Sequence, residues 1–182
     1  MIRIGDKVIL IKQGDITAET TDAIVNPANS QLLHGGGAAR AIAVKGGPVI
    51  EEQSQRLIER IGEVPTGKAV MTDAGRLPCK FVIHTVGPVW GEGGEPEKLR
   101  RAVWNVLILA ELYNLRSVSI PAISSGVFGF PKPLCAEILL ATTAEFLKQP
   151  AVRLDEVVMC NHDRQTTEIF LAAARSFLAV NG

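Results

Sequence analysis

Four segments of the chain gather glycine, asparagine, aspartate and serine just where an apolar run has ended. They are Gly14-Asp15-Ile16, Asn26-Pro27-Ala28-Asn29 running on to Gly35-Gly36-Gly37, Ser124-Ser125-Gly126-Val127-Phe128-Gly129, and His162-Asp163-Arg164. Residues of these types hold ligands with backbone amides and short side chains, and the chemistry they suit best is the binding of phosphate and sugar hydroxyls. The triple glycine leads into a helix expected to begin near Ala38, so its amides could cradle phosphate. It could equally be a tight strand-to-helix turn. It is not the dinucleotide fingerprint, because Gly35-x-Gly37-x-x-Arg40 puts arginine where a third glycine must pack the helix. Ser124 to Gly129 is the stronger phosphate loop. It follows the run Ser117 to Ile123, precedes a helix opened by Pro133, and offers two hydroxyls, two glycines and free amides as an anion nest. An ordinary strand-to-helix loop is the alternative, and Ile123-Ser124-Ser125-Gly126 does not match the G-x-S-x-G nucleophile elbow.

Single residues carry two readings each. Asp15 could accept a hydrogen bond from the exocyclic amine of a base, or simply cap a helical turn starting at Ile16 or Thr17. Asn26 and Asn29 could bond a sugar hydroxyl, or form turns around Pro27. His34, His84 and His162 are read as structural or solvent-facing rings, His84 especially, since it lies within a strand. Gly62 to Lys68 has the spacing G-x-x-x-x-G-K. Ala69 stands where Ser or Thr is required, and the order is helix before strand, so it is not a P-loop.

The elements that must position these loops follow from periodicity. Strands are predicted at Val8 to Gln13, Ala23 to Asn26, Lys68 to Ala74, Phe81 to Val86, Ser117 to Ile120 and Glu156 to Cys160. Several are continuously apolar, as strands covered by helices on both faces are. Helices are predicted at Ala38 to Lys45, Val49 to Ile61, Glu97 to Asn114, Pro133 to Lys148 and Arg164 to Leu178. The alternation is that of an α/β layered fold whose ligands gather outside the carboxyl ends of the strands.

With 182 residues the chain fits one domain, residues 1–182. Nineteen basic residues balance nineteen acidic ones, so no overall field draws it to nucleic acid or an anionic membrane. Cys79, Cys135 and Cys160 are odd in number and far apart, without CxxC or zinc spacing, which suggests reduced thiols and no metal. The first residues lack the apolar core of a signal peptide and no run reaches the length of a membrane span, so a cytoplasmic location is expected.

Taken together these residues resemble the macro domain family, whose members bind ADP-ribose. The matching motifs, in family order, are Gly14-Asp15-Ile16-Thr17, Asp22 to Asn29, His34 to Ala43 with its three glycines, Val82 to Pro88, and Ile120 to Gly129. The resemblance implies a three-layer α/β/α sandwich around a mixed sheet of about six strands. It also implies that Asp15 accepts from the adenine amine, that the Ile16 amide donates to the ring, and that Asn29 with Gly35, Gly36 and Gly37 meets the distal ribose. Ser125, Gly126, Val127 and Phe128 would wrap the diphosphate with backbone N-H groups, with Phe128 beside the distal ribose and His162 against adenine. Hydrolytic members carry an aspartate and a glycine after the glycine loop, and this chain has Ala39 and Arg40 there. Some members without that aspartate still hydrolyse ADP-ribosyl linkages.

The resulting expectation is binding of ADP-ribose, free or on an ADP-ribosylated protein, with slow hydrolysis of ADP-ribosyl esters such as O-acyl-ADP-ribose or modified carboxylates. No cofactor is implied. Asn29 and His34 are the candidate catalytic side chains, acting on a water activated by a ligand phosphate. The alternatives are a non-catalytic ADP-ribose module, a phosphatase acting on ADP-ribose-1''-phosphate, and a single-strand RNA binder. The balanced charge and few aromatics speak against RNA, which needs a basic groove and stacking platforms.

Overall fold

The computed structural model describes residues 1–182. The strands are β1 (Ile2–Ile4), β2 (Lys7–Gln13), β3 (Ala23–Pro27), β4 (Ala69–Asp73), β5 (Phe81–Thr85), β6 (Ser117–Ile120) and β7 (Glu156–Asn161). The helices are α1 (Gly37–Gly46), α2 (Pro48–Ile61), α3 (Glu95–Leu112), α4 (Lys132–Leu147) and α5 (Arg164–Asn181), and a 3-10 turn covers Ile16–Ala18. One sheet holds all the strands in the order β1-β2-β7-β6-β3-β5-β4. The five inner strands are parallel, and β1 and β4 pair antiparallel at the two edges. The sheet therefore has seven strands where six are expected. The added one is the three-residue β1, too short to show a period, which pairs Ile2 with Ile9.

Successive residues of the inner strands serve opposite layers, as the pleat requires. Val25, Ile83, Val118, Ile120, Val157 and Met159 pack with the buried faces of α3, α4 and α5. Ile24, Val82 and Val158 pack with Ile42 of α1 and Ile50 of α2. Both faces are dry, which explains the continuous apolar runs. After β3 the chain runs through α1 and α2 on one face, and after β6 through α4 on the other. The helices thus diverge where β3 and β6 lie side by side. A crevice opens at such a point, outside the carboxyl ends of the strands.

Candidate functional site

That crevice is a cavity of about 640 Å³ walled by the loops after β3, β5, β6 and β7. Its volume suits a nucleotide-sized ligand. The loop after β6 supplies its most distinctive wall. Ser125 N donates to the Ala122 carbonyl, Gly129 N to that of Gly126, and Phe130 N to that of Ser124. These bonds curl the loop, and the amides of Gly126, Val127 and Phe128 find no acceptor within the protein. Three consecutive unpaired donors beside a cavity form an anion nest. Ser124 sits in the left-handed region at φ 65°, buried, with its hydroxyl unpartnered. A non-glycine residue there marks local strain of about 1–3 kcal/mol, which is characteristic of a ligand-clamping turn.

The glycine loop forms the second wall. Gly35, Gly36 and Gly37 line the cavity, and α1 begins at Gly37 with φ 55°, preceded by Gly36 with no side-chain cap. The first amides of α1 are therefore free and face the same space, with the positive end of the helix dipole behind them. Two such walls can hold a diphosphate without lysine. The only charged side chains lining the cavity are Lys132, which donates to the Ser125 carbonyl at 3.4 Å, and Asp163, which caps α5 through Thr166.

Of the residues singled out from sequence, Asn29, Gly35, Gly36, Gly37, Ser124, Ser125, Gly126, Val127, Phe128 and His162 line the cavity. Asn29, however, already clamps its own loop. Its Nδ2 donates to the Leu33 carbonyl at 2.8 Å, and its Oδ1 accepts from the Leu33 amide at 2.9 Å. Asp15, Ile16, Asn26 and His34 are not among the lining residues. Asp15 caps the 3-10 turn, accepting from the Thr17 amide at 2.9 Å and pairing with Lys45 at 3.0 Å. The hydrogen bonds from Thr17 and the pairing with Lys45 hold its carboxyl down to about 2. It stays next to the β7 side of the site, because Gly14 N donates to the Asn161 carbonyl at 2.8 Å.

Asn26 and His34 lie behind the glycine loop in a polar cluster. Asn26 Nδ2 faces Nδ1 of His84 at 3.0 Å and Nδ1 of His34 at 3.4 Å. His34 Nε2 meets Ser54 Oγ at 2.9 Å, so both of its ring nitrogens are engaged. Burial also holds its pKa below the usual histidine value, against a smaller upward pull from Glu51. Such a ring anchors the root of the loop and has no free nitrogen to exchange a proton with a ligand.

The structure adds residues the sequence reading passed over. Asn161, at the end of β7, lines the cavity fully buried with both amide atoms unpartnered. A polar residue closing the apolar run Val157 to Cys160 was its only signal. Leu33, Lys132 and Thr166 also line the wall, beside Asp163 of the fourth loop singled out from sequence. Cys160 lines it too, but burial pushes its thiol up to about 12, which leaves no thiolate nucleophile near neutral pH. No three side chains of metal-ligating type converge anywhere in the molecule.

A family model described as Macro domain matches residues 25–139, from β3 into α4, the span that carries the glycine loop and the phosphate loop. The chain belongs to the macro domain family. This macro domain is 52% identical over 169 residues to an uncharacterised protein of Thermotoga maritima, which covers 91% of this chain but only 28% of that longer protein. It is 44% identical over 164 residues to the O-acetyl-ADP-ribose deacetylase of Citrobacter koseri, covering 89% of this chain and 92% of that one. The Oceanobacillus iheyensis macrodomain with MES bound matches 98% of this chain and 96% of its own, with a TM-score of 0.93 at 36% identity. A variant of that macrodomain with ADP-ribose matches 98% and 97%, with a TM-score of 0.91 at 35% identity. The two O. iheyensis structures share the α/β/α architecture of this chain.

Proposed function

We propose that this macro domain, residues 1–182 as one unit, binds ADP-ribose, free or attached to protein, and slowly hydrolyses ADP-ribosyl esters. The observation that carries the reading is the pair of walls with unpaired amides, Gly126 to Phe128 and the start of α1, facing one cavity whose two charged lining residues, Lys132 and Asp163, cancel. The O. iheyensis variant with ADP-ribose and the C. koseri deacetylase support the same ligand. In this reading Gly126 to Phe128 hold the diphosphate. Asp15 and the Ile16 amide meet adenine at the β7 side, His162 packs on the base, and the glycine loop meets the distal ribose. Free cysteines and a chain with no helix long and apolar enough to cross a membrane accord with a cytoplasmic place of action.

Hydrolysis then rests on positioning. No carboxylate or free imidazole lines the glycine-loop end, so a water must be held against the acyl carbon by loop amides and give up its proton to a phosphate oxygen of the ligand. Asn29 acts through the loop, by fixing Leu33. The test is calorimetry with ADP-ribose beside turnover of O-acetyl-ADP-ribose. Binding in the micromolar range with slow release of acetate is expected. Binding without release at high enzyme concentration reduces the function to ADP-ribose reading, a result the lack of a side-chain base would explain. No binding defeats the proposal.

A further inference from the structure

We infer that the glycine-loop end of the cavity receives an apolar acyl chain, so that among ADP-ribosyl esters this macro domain prefers longer acyl groups to acetyl. The inference rests on the ADP-ribose reading and adds the substrate class.

The lining of the cavity is divided. Lys132, the first residue of α4, reaches the Ser125 carbonyl at 3.4 Å, and Asp163 caps α5 after β7, close enough for the two to influence one another. The opposite end, where the loops after β3 and β6 meet, is lined by Leu33, Ala38, Ala39, Val127 and Phe128, with no charged side chain. There Leu33 is 67% exposed and Val127 fully exposed. A single exposed leucine is ordinary. These two project from loops that follow adjacent strands and border one cavity, so both present apolar surface at its mouth.

The presentation of Leu33 is built. Leu32 adopts φ 51°, in the left-handed region, and buries its own side chain against Ala28, Val64 and Val86. The reversal this creates turns Leu33 outward. Both amide atoms of Asn29 then lock the Leu33 backbone. A non-glycine residue at positive φ is costly, and here it holds an apolar side chain in water at a cavity mouth.

The same clamp selects the occupant. A polypeptide laid along this rim needs main-chain hydrogen bonds, and the amide and carbonyl of Leu33 are already taken by Asn29. An alkyl chain needs none. It would arrive tethered, because an ester on the distal ribose points out past the glycine loop once the diphosphate sits on Gly126 to Phe128. In the reaction a water oxygen bonds to the acyl carbon and the bond from that carbon to the ribose oxygen breaks. The ribose oxygen takes a proton, and the fatty acid leaves as its carboxylate with release of a second proton.

Calorimetry with ADP-ribose and with non-hydrolysable amide-linked acetyl, butanoyl and octanoyl derivatives tests this without requiring turnover. Affinity should rise with chain length, by about two- to fourfold per methylene that the rim covers. Leu33→Ser and Val127→Ser, both at exposed positions, should each flatten that slope. Affinity independent of chain length, with ADP-ribose still bound, overturns the inference and leaves the ADP-ribose reading standing. So does a Leu33→Ser defect seen only with ADP-ribosylated peptides, which would assign the rim to polypeptide. Failure of ADP-ribose itself to bind removes both.

Discussion

One buried amide, that of Asn26, stands between two histidines. Asn26 and His84 are register partners on β3 and β5, and Asn26 Nδ2 faces Nδ1 of His84 and of His34, whose rings stack 5.3 Å apart. The Nε2 atoms of His84 and His34 meet Thr72 Oγ1 at 2.8 Å and Ser54 Oγ at 2.9 Å, so both nitrogens of each ring are engaged. Burial, with the neighbouring His34, takes His84 down to about 3. The folded state therefore binds fewer protons than the unfolded chain below pH ~6.5, the free histidine value. Stability from this cluster is complete above that pH and is lost as pH falls toward 3. Between pH ~7 and ~5 the loss attributable to His84 should be about 2 kcal/mol. Denaturant unfolding of the parent and of His84→Gln at both pH values checks it, and an equal pH dependence in the two would remove His84 as the cause. Asp15, held near 2, contributes in the same direction but only below pH ~4, so it adds nothing to the change between pH ~7 and ~5. The sequence offered His34 as either shuttle or structural ring. It could not choose, because the Ser54 hydroxyl that meets Nε2 lies 20 residues further along the chain, and nothing local shows that Asn26 turns its side chain toward Nδ1.

Loops and strands were the more legible scale, since period and turn chemistry are local. The inner strands and all five helices fall within a few residues of where alternation and helical spacing put them. What period could not show was pairing. β1 is a strand because Ile2, Arg3 and Ile4 meet β2, and that contact cannot be read from three residues. Gly87, just past β5, was invisible for a similar reason. A Cβ there would collide with Ser124 Oγ and lie 2.7 Å from Ile123 Cγ2, so the phosphate loop rests directly on a bare backbone. At Gly126 a Cβ meets nothing, because that glycine faces the open cavity. The two positions should therefore behave differently. Gly87→Ala must displace the Ser124 hydroxyl and the Ile123 side chain at the root of the loop, which should cost about 1–3 kcal/mol of stability and weaken ADP-ribose binding. Gly126→Glu should leave the melting temperature nearly unchanged and abolish binding, through bulk and like charge beside the diphosphate. Thermal melts paired with calorimetry separate the two cases. If Gly87→Ala bound normally, the seat would be unimportant to the loop.

At the scale of the molecule the informative quantity is an absence of field. Nineteen positive and nineteen negative charges cancel, and only one of each lines the cavity. Most of the remaining charges pair on the surface, as Lys80 does with Asp22 and Arg100 with Glu145, where such pairs contribute about 0–1 kcal/mol and are screened by salt. A dinegative ligand is thus held by short-range donors, the amides of Gly126 to Phe128 and of the first turn of α1. These act at hydrogen-bond distance in a partly enclosed site, where mobile ions penetrate poorly. The consequence is a nearly flat salt dependence. Affinity for ADP-ribose should fall by less than about threefold between roughly 50 and 200 mM salt. A protein that binds nucleic acid by neutralising several phosphates loses on the order of a thousandfold or more over the same range, because it releases condensed counterions. Calorimetric titrations with ADP-ribose and with a single-stranded RNA oligomer across that range decide between the two. A flat slope for ADP-ribose with no measurable RNA affinity fits donors fixed in the backbone. A steep slope would mean that lysines or arginines outside the cavity hold the ligand, and the amide walls would then have to be assigned another role.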